Sequence, residues 1–217
     1  MTPVACPVVL AAPSGTGKTT LARRLVEGSD RYRFSVSATT RAPRGTERDG
    51  IDYHFLDREE FLRMVERGEL AEWAEVHGRL YGTPKAMLDD AAARGTHVIL
   101  DIDVQGARQV RDAMPDAKLI FVLPPSVDVL SARLRARGTE GRDDVARRLR
   151  SAVDELRVAE EFEYVVVNDD FERCLEEIEA IVRGDVESGE TSGSWADART
   201  LRAEVEDVLA EQYGEDV

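Results

Sequence analysis

Eight residues near the start of the chain, Ala12-Pro13-Ser14-Gly15-Thr16-Gly17-Lys18-Thr19, restrict the possible folds more than any other stretch. They follow a short apolar run, Val8-Val9-Leu10-Ala11, that reads as a buried strand. They open Thr19–Val26, which reads as a helix with Leu21, Leu25 and Val26 on one face. A glycine-rich turn between strand and helix nearly matches GxxxxGK[ST], a loop whose backbone N–H groups close around a polyphosphate. Its glycines let the amides turn inward, and the helix N-terminus adds favourable potential for an anion. Lys18 would reach the β- and γ-phosphates of a nucleoside triphosphate, and Thr19 would offer a hydroxyl to Mg²⁺. Ala12 stands where the pattern has its first glycine.

The same alternation continues along the chain. Phe34–Ser37, His97–Ile102, Leu119–Leu123 and Tyr164–Val167 read as strands, and Tyr53–Phe55 as a further extended piece. Helices are expected over Asp57–Arg67, Ala86–Arg94, Val127–Arg137, Asp144–Glu161 and Phe171–Val182, with Gly95 and Gly138 closing the second and third. In the first of these, Asp57 caps, Glu60 completes a capping-box pattern, and Phe61, Leu62 and Val65 face inward. Ala42–Gly50 is a loop. Wholly apolar strands between helices imply an α/β fold with a parallel sheet covered on both faces. Residues 185–198 read as a linker, and 199–217 as an acidic amphipathic helix with Leu201, Val205, Val208 and Leu209 on its apolar side. Loss of everything after Gly184 is expected to leave catalysis intact.

Charge narrows the range of partners. The net charge is −14, of which −8 falls in residues 185–217. So acidic a chain is a poor binder of nucleic acid. Its basic residues are nevertheless pooled: residues 31–48 hold five arginines against one acid, and 133–150 hold seven against three. Two local cationic pools suit compact anions. No apolar stretch is long enough to span a membrane, so none is expected as a partner. The N-terminal apolar run lacks a basic flank, and two lone cysteines, Cys6 and Cys174, suit a reducing compartment, so a cytoplasmic location is expected. A homo-oligomer is compatible with the sequence.

A second constellation lies downstream. Ser37-Ala38-Thr39-Thr40-Arg41 leads into Pro43-Arg44, then Glu47, Gly50, Asp52 and Tyr53. Arg41, Arg44 and Tyr53 could grip one phosphate, the arginines with planar bidentate geometry. Beyond them come Glu72-Trp73-Ala74-Glu75, Tyr81-Gly82-Thr83-Pro84 and Asp101-Ile102-Asp103.

Taken with Pro13–Lys18, Ser35–Arg41, Asp52–Phe55, Tyr81–Pro84, Asp101–Ala107, Arg137–Thr139 and Val167–Asp170, the chain resembles the guanylate kinases over about residues 4–183. The resemblance implies a P-loop NTPase three-layer fold with a central parallel sheet. Its core would be 1–34, 95–126 and 162–184, with an inserted GMP-binding subdomain at about 35–94 and a helical lid at about 127–161. It implies phosphoryl transfer from ATP, the co-substrate, to GMP or dGMP, with Mg²⁺ as cofactor. Arg41, Arg44, Tyr53 and Tyr81 would hold the acceptor phosphate, while Ser37, Glu72, Thr83 and Asp103 would read guanine. Residues Ala12, Pro13, Ser14, Gly15, Thr16, Gly17, Lys18 and Thr19 would bind ATP, Asn168 would contact its adenine, and Thr19 with Asp101 would serve the metal. Arg137 and Arg148 would join Lys18 and Arg41 in neutralising the transferring group. One motif departs: the glycine of Arg44-Gly45-Thr46-Glu47 falls one place early. Two other readings stay open at this point, a non-catalytic binding module of the same fold and a kinase for another small phosphate such as a ribose phosphate.

Overall fold

The computed structural model describes residues 5–76, 78–102, 104–136 and 142–214. In chain order the elements are β1 (Pro7–Ala11), α1 (Lys18–Gly28), β2 (Tyr32–Phe34), β3 (Ala38–Thr39), β4 (His54–Phe55), α2 (Arg58–Glu66), β5 (Leu70–Val76), β6 (Arg79–Pro84), α3 (Lys85–Arg94), β7 (His97–Leu100), α4 (Val104–Ala113), β8 (Lys118–Leu123), α5 (Val127–Ala136), α6 (Arg142–Arg157), β9 (Tyr164–Val167), α7 (Phe171–Arg183) and α8 (Trp195–Tyr213). The chain divides into two compact units, Met1–Val9 with Leu25–Ala117, and Leu10–Arg24 with Lys118–Val217.

In the first unit β2, β7 and β1 pair in parallel, with Phe34 and Val8 both opposite Ile99. Val8, Val9, Val98, Ile99 and Leu100 are all buried, as strands covered on both faces must be. The expected strand Phe34–Ser37 is shorter: β2 ends at Phe34, and Ser35–Ser37 bridges to a second sheet of order β4-β3-β6-β5. Its core is Ala38, Phe61, Leu70 and Leu80, flanked by Leu56, Met64 and Val65. Phe61, Met64 and Val65 follow the three-and-four spacing of one helix face; Leu62, expected inward, lies about 100° away and is exposed. Asp57 does cap α2, accepting from the Glu60 amide at 2.7 Å, but the Glu60 carboxylate turns to Arg63 instead of back to the cap.

Beneath β7, the His97 ring accepts the Cys6 amide on Nδ1 at 3.2 Å and lies 5.6 Å from the Tyr32 ring. Burial holds its pKa below the ordinary 6.5. The unfolded chain therefore binds a proton first, and this contribution to stability is present above pH 6.5 and lost as pH falls through the folded value. His97→Asn, which keeps an acceptor without a titration, is expected to flatten the fall in Tm between about pH 7 and 5. Melts across that range, with equal slopes for both proteins, would refute the assignment.

In the second unit β8 and β9 pair in parallel, Phe121 opposite Val165, and Phe121 meets Phe162 edge to face. The Cys174 thiol is buried there and pushed up to about 12, which makes it inert. The expected linker 185–198 is not one. Ser192 donates through both its amide and its hydroxyl to Glu177, and its Oγ accepts the Val167 amide at 2.9 Å. Gly193 N–H donates to the Val165 carbonyl and the Ser188 hydroxyl to that of Glu163. The final helix starts at Trp195, four residues before the expected 199, because Ser194 and Asp197 form a reciprocal capping box. Ala198, Leu201, Val205 and Leu209 are its buried stripe, with Val208 only half-buried. It packs against α6 and α5, Arg135 of α5 donating to Gln212, and Trp195 donates to the Phe162 carbonyl ahead of β9. Burying four such residues contributes about 4–8 kcal/mol, a large part of a typical 5–15 kcal/mol. Truncation after Gly184 is accordingly expected to lower Tm by about 10 °C or more, with catalysis surviving at low temperature. Differential scanning calorimetry showing an unchanged midpoint would contradict this.

Candidate active site

The phosphate loop lies in the second unit. Gly15 and Gly17 take φ of +95° and +102°, and the loop closes on itself through Thr16 N–H to the Pro13 carbonyl. A side chain at Gly15 would stand 2.9 Å from Leu134 of α5, so the loop also needs glycine for close packing. Four side chains among the described residues hold it from outside. Arg133 and Asn168 both donate to the Thr16 carbonyl at 2.8 Å, and Glu155 accepts the Ser14 amide at 3.0 Å. Arg148 donates to the Ser14 hydroxyl at 3.1 Å and to the Leu134 carbonyl. Burial raises the Glu155 carboxyl, while the Ser14 amide and the Lys18 charge pull it down.

Beside the loop is a cavity of about 410 Å³ walled by Gly15–Gly17, Arg133, Asn168, Asp169 and Phe171. Its volume suits a nucleoside. Asn168, expected on adenine, lines this cavity with its amide nitrogen bonded to the loop. Arg133, Glu155 and Phe171 were not singled out from the sequence. Arg133 at least sits in the second arginine pool; Glu155 carries no local signal.

The first unit carries the other constellation. Arg41 forms a two-armed pair with Glu47, Nη1 to Oε2 and Nη2 to Oε1, each 2.9 Å. Its guanidinium lies 5.1 Å over the Tyr53 ring and 5.8 Å over Phe55. The Glu47 bond, with a lesser contribution from Tyr81, raises the Arg41 pKa above its ordinary value. The displaced glycine is accommodated: Gly45 has φ of +52°, Glu47 N–H closes a turn onto the Arg44 carbonyl, and the Arg44 amide returns a bond to the Glu47 carboxylate at 2.7 Å. The Arg44 side chain is exposed. Burial raises the Tyr53 phenol, helped by the charge of Asp101.

One strand face joins the two ends of this half. Thr83 pairs with Glu72 across β5–β6, and its hydroxyl donates to Glu72 Oε1 at 2.7 Å with both residues buried. Tyr81 lies two residues earlier on β6, on the same face and about 7 Å along the strand. A ring of Tyr81, Tyr53 and Arg41 thus stands one short step from a buried carboxylate. Ser37 precedes β3 and accepts the His54 amide on its carbonyl, and Asp101 follows β7. Asp103 and Arg137 lie outside the described residues, as does Gly138. Among the described residues no three His, Cys, Asp or Glu gather to hold a metal ion, and no helix is long and apolar enough to cross a membrane.

The guanylate kinase family model matches residues 5–185. A guanylate kinase of Nitratidesulfovibrio vulgaris is 54% identical over 173 residues, 80% of this chain and 84% of that protein. One from Myxococcus xanthus is 49% identical over 176 residues, 81% of this chain and 84% of its own length. The crystal structure of guanylate kinase from Anaplasma phagocytophilum superposes with a TM-score of 0.67 at 34% identity, covering 98% of this chain and 97% of that one. The fold is accordingly α/β, that of the P-loop NTPases.

Proposed function

The chain belongs to the guanylate kinase family, and from that membership we infer how its residues divide the work of moving a phosphoryl group from ATP to GMP. It is a nucleoside monophosphate kinase, giving ADP and GDP. ATP lies with its phosphates in the Ala12–Thr19 loop and its nucleoside in the cavity beside Asn168. Lys18 neutralises the β- and γ-phosphates, and Arg148 with Arg137 meets the charge that spreads over the transferring group. Arg41, Arg44, Tyr53 and Tyr81 hold the phosphate of GMP. Guanine offers N1–H and its exocyclic amine as donors, which suit carboxylate acceptors at Glu72 and Asp103, with Ser37 and Thr83 completing the set; adenine, with a lone pair at N1, would set an acceptor against a carboxylate.

The single observation that carries this reading is Glu72, a carboxylate 3% exposed and oriented by Thr83, on one strand face with Tyr81, about 7 Å along the strand, which joins Tyr53 and Arg41. Thr19 and Asp101 each offer a hard oxygen, the donor type Mg²⁺ takes when it is shared with nucleotide phosphates. When bound, the ion would neutralise phosphate charge. The segment 35–94 serves GMP and 127–161 closes over ATP, excluding water that would otherwise hydrolyse it. The site is in the cytoplasm, within purine nucleotide metabolism, and dGMP is a second acceptor. Steady-state assays with ATP and Mg²⁺ against GMP, dGMP, AMP, UMP and ribose phosphates test it. GMP is expected to lead the panel; preference for a substrate without guanine would overturn the reading.

A further inference from the structure

Helix α4 carries a glycine, Gly106, as its third residue. Gly106 is helical and buried, yet glycine is a poor helix former. The reason lies across the gap. A Cβ built on Gly106 would fall inside van der Waals contact of Glu72 Oε2, 3.1 Å from Glu72 Cδ and 3.3 Å from the Ile102 side chain. One turn further along, Gln109 grips β5 itself. Its Oε1 accepts the Trp73 amide at 3.1 Å and its Nε2 donates to the Trp73 carbonyl at 2.7 Å. Strand β5 is the edge of its sheet, so the Gln109 amide takes the two bonds that a neighbouring strand would make. The first of them fixes the peptide joining Glu72 to Trp73.

We propose that α4 sets acceptor specificity by positioning Glu72: Gly106 leaves the space its carboxylate occupies, and Gln109 locks the backbone from which it projects. The inference rests on Glu72 being a reader of guanine. Both act through that carboxylate, whose other oxygen, Oε1, Thr83 holds. A methyl at 106 must push Oε2 aside. Gln109→Ala would free the strand edge without adding bulk.

The test is steady-state kinetics of the full-length Gly106→Ala, Gln109→Ala and Glu72→Gln proteins and of the Gly106→Ala/Glu72→Gln double variant, with thermal midpoints alongside. Glu72→Gln is expected to raise the KM for GMP about 10- to 100-fold. Gly106→Ala is expected to do the same and Gln109→Ala to do so by about tenfold, each with the KM for ATP and kcat within about twofold. The double variant should be no worse than Glu72→Gln alone, because the two changes disable one group. Effects that multiply, or a loss spread equally over GMP, ATP and kcat, would overturn the proposal. If Glu72→Gln impairs GMP use while Gly106→Ala and Gln109→Ala behave as the parent, the positioning role falls and the reading of Glu72 survives. If Glu72→Gln is itself neutral, that reading falls and takes the proposal with it. Should Gly106→Ala fail to fold, Gln109→Ala, at a half-buried surface position, decides.

Discussion

Lys18→Ala is expected to lower kcat by about a thousandfold or more. The side chain opens α1 directly behind a loop with Gly15 and Gly17 at positive φ, braced by Arg133, Asn168 and Glu155, so its charge stands at the proposed phosphate site. A positive charge aimed at phosphate oxygens matters most when charge is being redistributed among them, which is why kcat bears the loss. Stability should change little, because Lys18 is not part of the apolar core. The KM for GMP, whose proposed contacts lie in the first unit, should stay within about twofold. Glu155 supplies an independent reading, since the Lys18 charge is one of the influences lowering its pKa; in Lys18→Ala that carboxyl should titrate higher still, measurable by NMR. A variant keeping a tenth of parental turnover would show that the loop amides suffice.

Arg41→Ala is expected to raise the KM for GMP about a hundredfold or more. The side chain is only 10% exposed and is already fixed by the Glu47 fork and the Tyr53 and Phe55 rings, so its entropy is lost before the ligand arrives. Arg41→Lys should recover little, because an ammonium cannot reproduce a planar two-armed contact. Isothermal titration with GMP separates binding from chemistry. Equal affinity for parent and Arg41→Ala would dismiss the phosphate assignment while leaving the family membership untouched.

What could be read from the chain, and what could not, follows from how local each signal is. The phosphate loop is legible because strand, glycines, lysine and helix are consecutive. The arginine pools are legible as charge, although only the fold shows that Arg133 and Arg148 brace the loop through Thr16 and Ser14. The hairpin β5–β6 escaped notice because its pattern is inverted: in Leu70–Val76 the carboxylate of Glu72 points in and the ring of Trp73 points out. A buried acid at apolar parity costs stability unless partnered, and its signature was the alternation Leu70, Glu72, Ala74. Helix α4 was hidden for a related reason, since Gly106 answers a residue 34 positions away. The tail misled by composition. Gly, Ser and Thr are common in free linkers, but here their small polar groups bond to one strand.

That strand is β9, which ends its sheet. Its outward carbonyls and amides at Glu163, Val165 and Val167 are met by Ser188, Ser192 and Gly193 instead of by a neighbouring strand. A bare edge of this kind, in the sequence Tyr164-Val165-Val166-Val167, is β-branched and uncharged, the profile of a segment that recruits copies of itself into fibrils. The tail therefore covers that edge, and shortened versions of the chain, which would bare it, should be handled cold and dilute.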